Sequence, residues 1–142
     1  MEATNSYMLE KSLKGIQIGL VLEFVLGLAM GTIAPYDAAS NELPSPLHNG
    51  LLVAHVVVAF ALLIGAVLIM VHATKRPGRR WTIIGWSGLG CVIAALAGGV
   101  LTITTPWSDF FIFIMGLGFI IALVMYAYGL NILRSTLPRP SN

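Results

Sequence analysis

Apolar and polar stretches alternate along the chain with a long period. Four apolar runs lie at about 15–33, 50–72, 81–102 and 109–133, separated by short polar stretches rich in Pro, Gly, Ser and Asn. The hydrocarbon core of a bilayer takes about 20 apolar residues as helix, and each run supplies close to that. Breakers fall between the runs: Pro35 after the first, Pro44 and Pro46 before the second, Pro77 and Gly78 after it, and Pro106 before the fourth. The pattern predicts an all-α protein, an integral membrane bundle of four helices running up, down, up and down, since short connections make consecutive helices antiparallel neighbours. The first run is too long for the apolar core of a signal peptide. Pro35 also follows it where a small-residue cleavage site is needed, so it reads as a retained helix.

Composition sharpens this picture. Of 142 residues, 57% are hydrophobic and only 10% charged, whereas soluble domains carry roughly 25% charged residues. So few charges cannot cover a surface that faces water, so most of it must face lipid. The length is that of a single domain, here the membrane bundle itself. Cys91 is the only cysteine, which excludes an intrachain disulfide and a cysteine-rich metal cluster. No phosphate-binding loop, dinucleotide fingerprint or basic–aromatic motif is present, so a nucleic-acid partner is not expected.

The charges set an orientation. Every Lys and Arg lies in the N-terminal segment (Lys11, Lys14), the second connection (Lys75, Arg76, Arg79, Arg80) or the C-terminal segment (Arg134, Arg139). The first and third connections hold none and carry Asp37, Glu42 and Asp109. The positive-inside rule then puts both termini and the second connection in the cytoplasm, and the chain in the cytoplasmic membrane. Trp81 and Trp107 fall at opposite interfaces, where aromatic belts sit.

Small residues mark packing faces. Gly90, Ala94 and Gly98 recur every fourth residue in the third run, and Gly15 with Gly19 and Gly27 with Gly31 do so in the first. In lipid, such faces let helix backbones approach closely. They can pack within the bundle, or against a second copy or a larger membrane complex.

Few residues can carry chemistry. Glu23 is the one acidic residue inside an apolar run, about 8 residues or 12 Å from the inner end of its helix. An ionisable group at that depth is costly and belongs to the bundle interior or a water-filled path. It can serve as a proton carrier, a cation site or a cofactor's partner. It can also be simply a protonated carboxyl bonded to a neighbour.

His48, His55 and His72 all lie around the second run. His55 is about 7–8 Å inside the outer end, with His48 two turns away on the same face. His72 is at the inner end, about 100° round the helix, so the three do not make one metal site. It shares the level of Gln17, Tyr126 and Tyr128, which can form an inner-side quinone or haem environment, but it reads better as an interface anchor. Cys91, Met70 and Met125 read as packing. Met115, about 6 residues into the fourth helix, comes close to the depth of His55. It shares a face with Gly118, Ala122 and Gly129, small enough to admit a flat macrocycle. His55 and Met115 are therefore a possible pair of axial haem ligands, since iron accepts His with Met.

Three segments carry a family resemblance: LEFVLGLAMGTIAP in the first helix, LHNGLLVAHVVVAFALLIGAVLI in the second, and SDFFIFIMGLGFIIALVMYAYG in the fourth. With them the chain resembles a group of small prokaryotic four-helix membrane proteins, each similar to one half of haem A synthase and more loosely to b-type cytochromes. In those halves the second and fourth helices each bring a histidine to the haem. His55 matches the first position, and Met115 stands at the second. The resemblance implies haem b held by these two residues, without haem A synthesis by this chain alone.

Three functions compete. One is a b-type haem redox subunit linked to quinone or a respiratory complex. Another is an accessory or scaffold subunit without chemistry of its own, and the third is a small proton-coupled transporter working through Glu23. Enzymatic activity by the lone chain is not expected, because no nucleophile, base and oxyanion donor share one depth.

Overall fold

In the computed structural model, four helices account for nearly all of the described residues, which are 2–33, 43, 45–104 and 108–136. They are α1 (Glu2–Thr32), α2 (Pro46–Thr74), α3 (Arg79–Thr104) and α4 (Ser108–Thr136). All four are long and apolar enough to cross a membrane, the architecture of a multi-pass membrane protein. Outward-facing Ile18, Val53, Ile64, Phe113 and Val124 are all largely exposed, an apolar surface that lipid, not water, would cover. Most of the first connection, with Pro35, Asp37, Glu42 and Pro44, lies outside the described residues, as do Pro106, Trp107 and the C-terminal segment from Leu137.

The helices form a ring. α1 packs on α2, α2 on α3, α3 on α4 and α4 back on α1, while the backbones of the diagonal pairs stay farther apart among the described residues. Paired contacts give the directions. Ile16 meets Gly65 and Gly19 meets Leu62; Gly88 meets Tyr126 and Gly98 meets Met115; Leu13 meets Gly129 and Phe24 stacks on Phe119. In each pair one number rises as the other falls, so neighbours are antiparallel and the order is up-down-up-down. The turn between α2 and α3 needs Gly78, whose φ of +106° suits glycine alone without strain. Ser45 caps α2 by accepting from the His48 N–H at 3.1 Å, with Pro46 at the first helical position, where its missing N–H costs nothing.

α1 begins at Glu2, well before the expected start near Gly15. Ser6, Leu9, Leu13, Ile16, Leu20 and Glu23 recur at alternating spacings of three and four, and all six are buried. One face of the helix is thus continuous from its first turns to the middle of the bundle. At its start Arg76 reaches from the α2–α3 turn, donating from Nη2 to Ser6 Oγ at 2.7 Å. Its guanidinium lies 4.9 Å from the Trp81 ring centroid, a cation–π contact. Glu10 pairs with Lys14 at 2.7 Å and with Arg134 of α4 at 3.8 Å.

Burial is lopsided. The fully enclosed apolar side chains are Leu9 to Leu20 on α1, Leu62 to Ala73 on α2, Trp81 to Val92 on α3 and Ala122 to Leu133 on α4. All belong to the half of the bundle that carries the basic α2–α3 turn. In the half that carries the other two connections, no described apolar side chain is buried to that degree. The small residues divide accordingly. A Cβ on Gly88 would stand 2.5 Å from the Tyr126 ring, and one on Gly118 only 2.8 Å from the Cys91 carbonyl oxygen, so these glycines are what let α3 and α4 meet. Gly90 and Ala94, expected on the same packing stripe as Gly98, instead lie exposed along a shallow groove between Ser87, Cys91, Leu117 and Ile121.

Candidate functional site

The two polar residues placed deepest in apolar runs meet. Glu23 continues the buried face of α1, and His55 continues on α2 the line of Leu62, Ala66, Ile69 and Ala73. Each lies about nine residues, or about 13 Å, from the loop end of its helix. Antiparallel packing therefore brings them to one level. His55 Nδ1 stands 3.3 Å from Glu23 Oε1, with the side chains 22% and 11% exposed, so the carboxyl is the more enclosed of the two. The imidazole edge lies over Gly27, one turn along from Glu23, where a Cβ would be 3.8 Å from His55 Cε1. Glycine there leaves the ring its seat, with room for a methyl group and little more.

The contact is close but not aligned as a hydrogen bond. Glu23 Oε2 and His55 Nδ1 are both buried without a hydrogen-bond partner, although the two residues are within charge-pairing distance. We read the contact as the close approach of an acid and a base that are not aligned as a hydrogen bond. Such a pair has a definite proton chemistry. With one proton it is net neutral, whether as carboxylate and imidazolium or as carboxyl and imidazole. With none or two it carries a net charge, which an apolar interior penalises. Among the described residues no other charged group is at hand to relieve that: from Thr82 to Ile132 the only charged side chain is Asp109, in the first turn of α4. The arrangement can hold one proton, and exchange it when water reaches the pair.

The other candidates lie elsewhere. Met115 packs against α3: its Sδ would be 3.5 Å from a Cβ on Gly99, and its backbone 3.0 Å from one on Gly98. The small residues that share its face are filled in the same way, Gly118 by the α3 backbone and Gly129 by Ile84. His55 faces α1 while Met115 faces α3, so in this packing the two side chains do not converge. His55 alone has a feature of an axial ligand, a ring nitrogen against a carboxylate.

His72 Nδ1 lies 2.7 Å from the Leu68 carbonyl oxygen of its own helix, and His48 is at the loop end of α2. Among the described residues no three His, Cys, Asp or Glu side chains gather as a metal ion would need. Tyr126 is wholly buried, and its hydroxyl has no protein partner. Gln17 Nε2 is likewise buried and unpartnered.

Sequence reasoning singled out Glu23 and His55 separately but not as a pair. The signal that joins them is the three-and-four spacing that starts at Ser6, together with equal distances from the helix ends. No family model, curated protein or solved structure matches the chain. The functional reading therefore rests on this geometry.

Proposed function

We propose that this multi-pass membrane protein uses the Glu23–His55 pair as an intramembrane proton-binding site, the working centre of a small proton-coupled transporter. The observation that carries the reading is the 3.3 Å approach of Nδ1 to Oε1 across the α1–α2 interface. An acid and a base at one depth, on different helices and within an apolar bundle, can hold a proton whose gain or loss changes how strongly the two helices attract. Ionisable groups inside membranes characteristically mark ion and proton pathways. With the basic α2–α3 turn on the cytoplasmic side, as the positive-inside rule sets it, the pair lies in the outer half of the membrane.

Infrared difference spectra between acid and alkaline samples test the site directly. Wild type is expected to show a protonated-carboxyl band that titrates, disappears in Glu23→Gln and shifts in His55→Gln. A band unchanged in Glu23→Gln would remove the reading. A second reading, assembly with another copy or a partner subunit, has its own support in the exposed Gly90–Ala94 groove on α3. Bulky Gly90→Leu would then shift the oligomeric state in mild detergent, and an unshifted state would count against it.

A further inference from the structure

We infer that water and protons reach the Glu23–His55 pair from the end of the bundle carrying the α1–α2 and α3–α4 connections, and that the opposite, basic end is sealed. The inference rests on the proton-site reading above and adds the side of access. The two directions leading away from the pair differ in what fills them. Toward the basic end, the α1 face continues as Leu20, Ile16, Leu13 and Leu9, each 4% exposed or less. Opposite it stand Leu62, Ala66, Ile69 and Ala73, and Tyr126 and Leu133 close the layer from α4, all buried. That is a buried, largely apolar layer roughly 20 Å deep, taken from Glu23 to Leu9 at 1.5 Å per residue; it encloses Gln17 Nε2 and the Tyr126 hydroxyl, and a cleft between Gly15, Gly19 and Gly65 runs along its α1–α2 flank.

Toward the other end, the same α1 line runs to Gly27, which has no side chain, and Met30, only half-buried. On α2 it runs back from His55 to Leu51 and Leu52, also half-buried, and to His48, two turns away. α3 and α4 contribute the half-buried Ala95, Leu96, Gly99, Ile114 and Met115 at these levels, none of them charged. α3 and α4 keep close backbone contact here at Gly98 and Met115, so the looser packing lies along α1 and α2, where half-buried side chains leave solvent a way in that the buried layer denies. With the basic end cytoplasmic, the pair equilibrates with the outer medium.

Site-directed thiol labelling tests this. In a Cys91→Ala background, Gly27→Cys and Met30→Cys report on the open half, Leu20→Cys on the sealed half and Lys75→Cys on the basic face. A membrane-impermeant cationic methanethiosulfonate is added to one face of oriented proteoliposomes at a time. Gly27→Cys and Met30→Cys are expected to react about tenfold or more faster from the face opposite Lys75, and Leu20→Cys slowly from both. Equal rates, faster reaction from the Lys75 face, or no reaction at either reporter while Lys75→Cys labels would each overturn the inference, as would Leu20→Cys reacting like Gly27→Cys.

Hydrogen exchange of the unmodified protein gives the same answer free of any folding defect in the variants. Amides at 24–32 and 48–58 should exchange about tenfold or more faster than those at 9–20 and 62–73, and equal protection would sink the idea. Labelling reads water access whatever the pair does, whereas the infrared band reads proton binding, so the two claims can fail separately.

Discussion

If Glu23 and His55 act as a unit, their removal must be non-additive, and a double-mutant cycle measures by how much. As carboxylate and imidazolium at 3.3 Å, the two groups attract by about 5 kcal/mol with an effective dielectric near 20. Desolvation of both groups offsets most of this, and the partial exposure of His55 screens part of the rest. The net coupling expected is about 1–3 kcal/mol, the range for residues in direct contact. Each single variant, Glu23→Gln or His55→Gln, leaves the other group buried without its partner and should therefore destabilise the bundle more than its own lost contacts account for. The double variant removes both problems, so it should lose clearly less than the sum of the two. Reversible unfolding in mixed micelles, followed by circular dichroism as the denaturing detergent fraction rises, gives the four stabilities. Additivity within about 0.5 kcal/mol would refute the pairing, because two groups that do not feel each other show no coupling however buried they are.

The remaining predictions address packing and cofactor. Gly118→Ala should destabilise by about 1–3 kcal/mol through overpacking, since its methyl would strike the Cys91 backbone carbonyl; Gly116→Ala, with open space around it, should be neutral or slightly stabilising, and the same unfolding assay compares them. Tyr126→Phe should leave stability unchanged within about 0.5 kcal/mol, because the hydroxyl has no protein partner, whereas Gly88→Ala drives a methyl into that ring and should cost as Gly118→Ala does. Protein purified after expression with ample haem is expected to show no Soret band from a His55–Met115 site, and a band that vanished in both His55→Ala and Met115→Ala would restore the haem reading.

The four spans, their order and the turn at Gly78 are legible from the residues because apolar runs and breakers are local signals. The early start of α1 is not, for a physical reason. Glu10, Lys11 and Lys14 make that segment look like a polar tail, while Leu9 and Leu13 face inward between them, a pattern that shows only when the residues are laid on a helix. The pairing is hidden for another reason, the start of α2. With α2 beginning near Gly50, His55 lies about five residues from its loop end, whereas Glu23 lies about ten from the end of the first run. From the true ends, Thr32 and Pro46, the two lie at equal depth. Depth, a face of small residues and the resemblance bring Met115 to the level of His55, but none of them fixes direction; which neighbour each side chain meets is a tertiary property.

The seat of α1 also bears on the order of assembly. Leu13 lies against Gly129, and Glu10 pairs with Arg134, both near the far end of the chain. Arg76, midway along it, supplies the bond to Ser6. α1 can therefore pack on α2 as soon as both are made, while its contacts with α4 must wait for α4 to be inserted. The seam between α1 and α4 is where the ring closes, and the Glu10–Arg134 pair pins it.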